Sequence, residues 1–329
     1  MTKRLQIVTP VFNDWQSFLI LLGDIDSAAR DLDWQVSVLA IDDGSTEEQP
    51  EHTSKYHEHI HEVRIVRLAT NVGHQRAIAI GLSIAVEEIG ADAVLIMDSD
   101  GEDRPQDIPR LIEAAAGKSD FAVVARRAKR TNTAIFKLFY VLYKAGFAIM
   151  TGRDINFGNF SLLSRNYARR LIMQADLWNN LAGALLKSRA PITSLLTDRG
   201  HRYAGQSKMN FASLIVHGMS SLSVYSDVIF VRMLAATGVL FVFSMIAIAA
   251  VIFMRLATDM ATPGWATTVI FGVMIILMQA IISTLMTMLL LLNNRAQKNV
   301  IPLRDYRDYV LTSIVLTAES SLSREVEPA

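Results

Sequence analysis

The stretch that decides the fold is Ala93-Val94-Leu95-Ile96-Met97, an uncharged apolar run, followed directly by Asp98-Ser99-Asp100-Gly101-Glu102-Asp103. A short apolar run bounded by polar, turn-forming residues predicts a buried strand. Residues 98–103, the acidic loop, then place four carboxylates at the end of that strand. Such a cluster repels itself unless cations relieve it. Mg²⁺ or Mn²⁺ suits Asp98 and Asp100 and keeps positions open for phosphate oxygens, whereas an isolated Asp-x-Asp elsewhere indicates a solvated turn.

Strand and helix patterns alternate on both sides of this stretch. Strands are predicted at Leu5–Val11, Val36–Ile41, Val63–Leu68, Ala93–Met97 and Phe121–Ala125, with helices at Trp15–Arg30, Gly73–Ile89 and Gln106–Ala116. The alternation predicts an α/β fold with a doubly wound, mostly parallel sheet. Ligands bind such sheets outside the carboxyl ends of the strands. Pro10, Asp42-Asp43 and Asp98–Asp100 all stand at those ends, so we expect them to converge on one edge.

Two further polar segments belong to the same predicted edge. Asp42-Asp43-Gly44-Ser45 combines a glycine that permits a tight turn with carboxylates that can accept bonds from a base or ribose, although alone it could be a simple β-turn. Thr70–His74 opens a helix whose first amides suit an anion or a loop carbonyl. His74 is predicted to be a turn or pocket residue, because no second histidine stands at metal-ligand spacing.

Two long stretches near the end of the chain, Met233–Met254 and Met260–Asn294, carry no charge. Each exceeds the roughly 20 apolar residues that cross a bilayer as a helix. A buried hairpin of core helices is the alternative. Met1–Val8 is too short and mixed for a signal peptide, so the first domain is predicted to be cytoplasmic. Basic residues follow the second stretch and place the C-terminus on the same side: Arg295, Lys298, Arg304 and Arg307.

The composition of the chain and the motifs that it lacks argue against several classes of protein. The 32 basic and 32 acidic residues give no net charge, so nothing global indicates nucleic acid. The chain has no cysteine, which leaves carboxylates and histidines as possible metal ligands. A Gly-x-x-x-x-Gly-Lys-Ser/Thr loop, a Gly-x-Gly-x-x-Gly turn after the first strand and a His-Glu-x-x-His motif are all missing. A phosphate-loop NTPase and a dinucleotide dehydrogenase are therefore not indicated.

Basic residues of a different kind follow the fifth strand and recur near residue 200. They are Arg126, Arg127, Lys129, Arg130, Lys137, Arg199, Arg202 and Lys208. One interpretation is a basic surface attracted to anionic lipid. The other is a phosphate cradle, since arginine binds phosphate bidentately and lysine adds a point charge. The two interpretations are compatible if the bound molecule is a lipid phosphate.

The ordered set of motifs resembles the family 2 glycosyltransferases with a GT-A fold, particularly the polyprenyl-phosphate group that includes dolichol-phosphate mannose synthase and bactoprenol glucosyltransferases. The matching segments are Thr9–Asp14 at the family's Pro-x-Tyr-Asn-Glu, Ile41–Ser45 at Asp-Asp-x-Ser, Asn71-x-Gly73, Asp98–Pro105 at Asp-Ala-Asp-Leu-Gln-Asp-Pro-Pro, Arg127, Gly158–Arg165 and Arg202–Lys208 at Arg-x-x-Gly-x-Ser-Lys. Glu102 stands at the family's glutamine. The family's Gly-Glu-Tyr-x-Gly-Arg segment after the second span is absent.

This resemblance implies inverting, metal-dependent transfer of one sugar from a UDP- or GDP-sugar to a membrane polyprenyl phosphate by a homo-oligomer. It implies nucleotide contacts at Pro10, Phe12, Asp14, Asp42 and Asp98, and Mg²⁺ or Mn²⁺ ligands at Asp98, Asp100 and Glu102. It places the acceptor phosphate at Arg127, Lys137, Arg202, Ser207 and Lys208. The catalytic set is Asp103, Arg127, Arg202 and Lys208. Because a phosphate acceptor is already substantially ionised, Asp103 is expected to position the acceptor or the sugar; a hydroxyl acceptor would make Asp103 the base.

The predicted organisation has four parts. They are a cytoplasmic catalytic domain at 1–208, amphipathic juxtamembrane helices at 209–231, a two-helix transmembrane hairpin at 232–295 and a cytoplasmic tail at 296–329. The helices within Asn210–Val231 are expected to lie in the membrane interface, and Glu319–Ala329 is expected to be disordered. Two alternatives remain: a glycosyltransferase with another acceptor, for which the processive Gln-x-x-Arg-Trp motif is missing, and a silent nucleotide-sugar-binding scaffold.

Overall fold

A computed structural model describes residues 2–49, 58–127, 134–154, 156–204, 218–257, 264–296, 298–317 and 324–326. The chain divides into two compact units. The first comprises 1–144, 153–224 and 300–329, and the second comprises 145–152 and 225–299. The first unit therefore includes a segment that follows the second unit in sequence.

The first unit is built on one sheet, to which the described residues contribute nine strands in the order β7-β5-β6-β4-β1-β2-β3-β8-β9. The strands are β1 Lys3–Val11, β2 Trp34–Asp42, β3 Ile60–Leu68, β4 Ala93–Ile96, β5 Ala122–Arg127, β6 Ser161–Ser164, β7 Thr193–Thr197, β8 Val310–Thr317 and β9 Arg324–Val326. The central strands β4, β1, β2 and β3 are parallel, which confirms the predicted doubly wound α/β sheet.

Helices cover both faces of this sheet. The helices of the first unit are α1 Trp15–Ala29, α2 His74–Glu87, α3 Ile108–Ala115, α4 Ala134–Thr151, α5 Arg165–Ile172 and α6 Leu181–Lys187, with α9 at Pro302–Asp305 after the second unit; α4 continues into the second unit. One core cluster contains α2 residues and the other contains α1 residues. Gly81 of α2 lies so close to the sheet that a Cβ there would be 2.5 Å from Val8 Cγ1.

The order of the strands differs from the prediction beyond β4. Strand β5 was expected to continue the parallel alternation, but β6 lies between β4 and β5 and is antiparallel to both. Strand β5 then pairs in parallel with β7. Helix α3 begins at Ile108, two residues later than predicted, because Pro105–Asp107 forms a 3₁₀ turn.

The segment after the second unit is part of the first sheet. Strand β8 is antiparallel to β3, and β9 is antiparallel to β8. Arg64 Nε donates to Ser313 Oγ at 2.8 Å, and Tyr306 packs in the core of the first unit with its hydroxyl 3.1 Å from Glu88 Oε1. The prediction of disorder for Glu319–Ala329 is wrong at Arg324–Val326, where backbone pairing with β8 supplies order that the polar side chains do not indicate.

The second unit contains α7 Ser226–Ala257 and α8 Trp265–Ala296. Only 11% of the most apolar window of each helix is buried within the structure, which is the opposite of a soluble core hairpin. Both helices are therefore candidate membrane spans. Within this unit the hydroxyls of Thr237 and Thr284 are 2.9 Å apart, and Arg232 donates to the carbonyl of Ile149 near the end of α4.

Candidate active site

The carboxyl ends of β1, β2 and β4 meet at one edge of the sheet, as predicted. Asp43 donates its backbone N–H to the Val11 carbonyl at 2.8 Å, and Met97 donates to the Val8 carbonyl at 3.1 Å. The turn after β2 and the acidic loop after β4 therefore begin on either side of the end of β1.

The turn after β2 uses both aspartates to hold backbone. Asp42 Oδ1 accepts the Ser45 N–H at 2.8 Å, whereas Asp43 accepts the N–H groups of Val72 at 2.7 Å and Gly73 at 3.0 Å. Gly44 has φ +72°, which favours glycine. Burial raises the pKa of Asp43 despite the two amide bonds. The pair thus ties the β2 turn to the loop that begins α2.

The segment after β1 presents the residues predicted to contact a nucleotide. Pro10 is buried near the end of the strand, whereas Phe12 is 40% exposed and so accessible to a planar base. Asp14 Oδ1 accepts a hydrogen bond from Ser17 Oγ at 2.7 Å. Asn13, which the sequence did not single out, has φ +47°, and its Oδ1 accepts the Thr46 N–H at 2.8 Å.

Asp98 lies against the first turn of α2. Its Oδ1 is 3.2 Å from His74 Nε2, and the same histidine nitrogen is 2.9 Å from Asn159 Nδ2. Asn159 Oδ1 in turn accepts a hydrogen bond from Gln75 Nε2 at 3.0 Å. Burial alone would raise the pKa of Asp98, but His74, Arg127 and Asn159 together lower that pKa below its ordinary value. Burial alone would lower the pKa of His74, but Asp98, with the charges of Asp103 and Asp100, raises that pKa above its ordinary value.

Asp103 is the buried last residue of the acidic loop and is held from two directions. Its Oδ2 accepts the Asp98 N–H at 3.0 Å, and its Oδ1 accepts Arg127 Nη2 at 3.2 Å. Burial and then the charge of Asp98 raise the pKa of Asp103 to about 7, against the opposing effect of Arg127. Arg127 Nη1 also donates to Glu102 Oε2 at 3.1 Å, and Arg199 pairs with the other Glu102 oxygen.

Residues 198–204, the strap, lie along the acidic loop. Gly200 donates its N–H to the Glu102 carbonyl and Tyr203 donates to the Asp100 carbonyl, both at 2.9 Å. Arg202 Nη2 is 3.0 Å from Asp100 Oδ2. Gly101 has φ +85°, and a Cβ there would lie 2.6 Å from the Tyr203 ring. Close packing therefore requires glycine at this position.

The described residues include no group of three or more histidine, aspartate or glutamate side chains already arranged around a metal position. Asp98 and Asp100 nevertheless fit Mg²⁺ or Mn²⁺, because such ions are commonly held by one or two carboxylates together with substrate phosphates. Asp98 Oδ1 supports this fit, since it is buried and its 3.2 Å contact with His74 Nε2 is an ion-pair contact without hydrogen-bond geometry. Glu102 instead lies between two arginines.

Several predicted residues stand in the part of the chain that the structure does not describe. Ser207 and Lys208 lie outside the described residues, as do Lys129 and Arg130 and the side chain of Lys137. Residues 210–217 of the expected interfacial helices are likewise outside them. Asn13, Gln75, Asn159 and Tyr203 were missed, although Asn13 and Asn159 stand inside segments that carried the family resemblance.

Residues 6–172, half of the chain, match the family described as glycosyl transferase family 2. The chain belongs to this family. A family relative, the undecaprenyl-phosphate 4-deoxy-4-formamido-L-arabinose transferase of Photorhabdus laumondii, is 27% identical over 65% of this chain and 65% of that protein. The dolichol-phosphate mannosyltransferase of Pyrococcus furiosus is 29% identical over 46% of this chain and 40% of that protein. The chain thus spans less than two thirds of either relative.

Among solved structures, glucosyl-3-phosphoglycerate synthase from Mycobacterium tuberculosis superposes with a TM-score of 0.50. The two chains are 16% identical, and the match covers 69% of this chain and 80% of that one. At this identity the likeness concerns the fold, and it confirms the predicted GT-A architecture.

Proposed function

We propose that this chain transfers a single sugar, with inversion, from a UDP- or GDP-sugar to a membrane polyprenyl phosphate in a metal-dependent reaction. The observation that carries the proposal is the meeting of the acidic loop with arginines of β5 and the strap at the carboxyl edge of the sheet. Carboxylates suit a metal-bound diphosphate, and guanidinium groups suit a second phosphate. The names of the two relatives, each a transferase acting with a polyprenyl phosphate, support this acceptor class.

On the donor side, Asp98 and Asp100 would hold the metal ion, while Phe12 offers an exposed ring beside the end of β1. When bound, the ion would neutralise charge on the departing nucleotide diphosphate. The solved neighbour contains Mn²⁺ and UDP-glucose, and we propose a donor of that class here. His74 and Asn159 would keep the Asp98 carboxylate oriented during this step.

On the acceptor side, Arg127 and Arg202 would hold the phosphate for in-line attack, joined by Lys137, Ser207 and Lys208. A phosphate monoester is substantially ionised near neutrality, with a second pKa of about 6, so the attacking oxygen needs no strong base. Asp103 is fixed by the Asp98 amide and by Arg127, which suits a positioning role.

A hydroxyl acceptor is the second candidate, and one observation favours it. The pKa of Asp103 is about 7, which is where a general base works best near neutral pH. With a hydroxyl acceptor, Asp103 would take the proton from the attacking oxygen. Asp103→Asn removes the base that a hydroxyl acceptor requires. The mutation should therefore lower transfer more strongly with a hydroxyl acceptor than with a phosphate acceptor.

We also propose that the chain is a two-span protein of the cytoplasmic membrane, with the catalytic unit and β8 on the cytoplasmic side. Strand β3 precedes α7, β8 follows α8, and the two strands are paired in one sheet. Residues on both flanks of the helical hairpin must therefore lie on one side of the membrane. The basic residues after α8 favour the cytoplasm.

The test is sugar transfer from a panel of radiolabelled UDP- and GDP-sugars to polyprenyl phosphate in detergent with Mn²⁺ or Mg²⁺. We expect a lipid product with the wild type and at least about a hundredfold loss in Asp100→Asn. Asp198→Asn is the matched control, since Asp198 lies in the strap but its side chain is 79% exposed. A product that forms equally well in EDTA, or nucleotide binding without transfer, would contradict the proposal.

A further inference from the structure

Each carboxylate of the acidic loop already has a cationic partner within the chain. Asp98 pairs with His74, Asp100 with Arg202, Glu102 with Arg127 and Arg199, and Asp103 with Arg127. The acidic cluster is therefore neutralised without a metal ion. A divalent ion that binds here must compete with groups of the protein itself.

Among these cationic partners, Arg202 competes most directly with a metal ion, because both would bind Asp100. Its Nη2 lies 3.0 Å from Asp100 Oδ2, whereas Asp100 Oδ1 accepts the Glu102 N–H at 2.9 Å. Arg202 thus pairs with the Asp100 oxygen that does not accept the Glu102 amide. A metal ion held by Asp100 would compete for that oxygen, because two cations on one oxygen repel each other.

The present position also leaves Arg202 incompletely bonded. Its Nε is buried and donates no hydrogen bond within the residues that the structure describes. A guanidinium has five donors in a planar fork, and a phosphate can engage two of them at once. A second anion would therefore satisfy Arg202 better than the single carboxylate contact does.

The strap can keep its place when the Arg202 side chain leaves Asp100. The neighbouring Tyr203 holds the strap through its N–H to the Asp100 carbonyl and through its hydroxyl to Asp24 Oδ2. Gly200 adds a bond from its N–H to the Glu102 carbonyl. Rotation of one side chain is sufficient, because these three bonds do not involve Arg202.

We propose that Arg202 is the resident counter-cation of Asp100, that the metal ion of the donor displaces it, and that the released guanidinium then binds the acceptor phosphate. This inference rests on the proposed function and adds a coupling between its two sites. Because coupling between binding sites is reciprocal, the metal-bound donor tightens the acceptor site and the acceptor phosphate tightens the metal site.

The test measures Mn²⁺ affinity of the full chain in detergent, with UDP present and no acceptor, from the electron paramagnetic resonance signal of free Mn²⁺. We expect Arg202→Gln to bind Mn²⁺ about fivefold more tightly than the wild type, the upper range for a partly exposed ion pair. Arg202→Lys keeps the positive charge, and its Mn²⁺ affinity should lie between those of the wild type and Arg202→Gln. Arg104→Gln is the charge-matched control, because Arg104 adjoins the acidic loop and pairs with Asp198.

A second measurement uses a short-chain polyprenyl phosphate as probe. Its affinity should rise when Mn²⁺ and UDP are added to the wild type, and this rise should be lost in Arg202→Gln. Equal Mn²⁺ affinity in Arg202→Gln and Arg104→Gln, or weaker binding in Arg202→Gln, would overturn the exchange while leaving the proposed function intact. A wild type that binds no Mn²⁺ would overturn both.

Discussion

The hydroxyl of Tyr203 donates to Asp24 Oδ2 at 2.5 Å and so joins the strap to helix α1 across the acidic loop. Burial, followed by the bond to Asp24, raises the pKa of Tyr203, so the phenol stays protonated and remains the donor at physiological pH. The position of Arg202 depends on this bond because the two residues are adjacent.

Tyr203→Phe should destabilise the first unit by about 1–2 kcal/mol, since the bond has a charged acceptor but is partly exposed. The mutation should also raise KM for the acceptor more than KM for the donor. Asp24→Asn should give a similar loss, and the double mutant should lose little more than either alone. Denaturant unfolding and steady-state kinetics measure these effects. Additive losses would show that the two side chains act independently.

Gly101→Ala should disrupt the contact between the acidic loop and the strap. Gly101 has φ +85°, and the added Cβ would lie 2.6 Å from the Tyr203 ring. We expect a loss of about 2 kcal/mol or more and at least a tenfold fall in kcat/KM. Gly23→Ala is the control in helix α1, where a Cβ meets no described atom within 4 Å; it should stabilise by about 0.5–1 kcal/mol. Retention of activity in Gly101→Ala would contradict this account.

The stability of the metal-free protein should fall as pH rises towards neutrality. The pKa of Asp103 is raised from 3.8 to about 7 on folding, so the folded state holds this proton more tightly than the unfolded state. The contribution of Asp103 to the free energy of unfolding is fully present below pH 3.8 and is lost as the pH rises through about 7. The raised pKa of His74 acts in the same direction. Melting temperatures from pH 4 to 8 should therefore decline less in Asp103→Asn than in the wild type; parallel profiles would refute the assignment.

Strand β8 and the turn before it should be required for the stability of the first unit. Tyr306 is 2% exposed and packs in the same cluster as α2 residues. Tyr306→Ala should cost about 3–5 kcal/mol through lost core packing, whereas Tyr306→Phe should cost only about 1 kcal/mol through the lost bond to Glu88. Denaturant unfolding followed by near-ultraviolet circular dichroism compares the two. Equal, small losses would show that this segment is dispensable.

The sequence predicted the elements that carry a strong local pattern. Strand β4 follows from five apolar residues and the adjacent carboxylates, and helix α2 follows from its continuous apolar surface. Strand β6 was missed because four residues with serine at both ends have little pattern. Strand β8 is rich in β-branched residues, but its role depends on pairing with a strand about 250 residues earlier, which local pattern does not reveal.

The sequence indicated which carboxylates lie in the candidate site, but not which arginines pair with them. The motifs identified Asp98, Asp100 and Asp103, because carboxylates after a buried strand indicate a ligand site. They could not show that Arg202 pairs with Asp100 or that Glu102 lies between two arginines, since these contacts join residues 25 to 102 positions apart. The bonding of Glu102 at the position of the family's glutamine is thus a finding of the structure.

The pairing of β8 with β3 also determines when the protein can finish folding during its synthesis. Arg64 and Ser313, which are bonded across this pair, stand 249 residues apart, with both long apolar helices between them. The ribosome therefore releases β8 only after α7 and α8 have been made, and until then the β3 edge has no partner strand and exposes its backbone. In the two-span topology proposed above, both helices are therefore available for insertion into the bilayer before the sheet of the first unit can be completed.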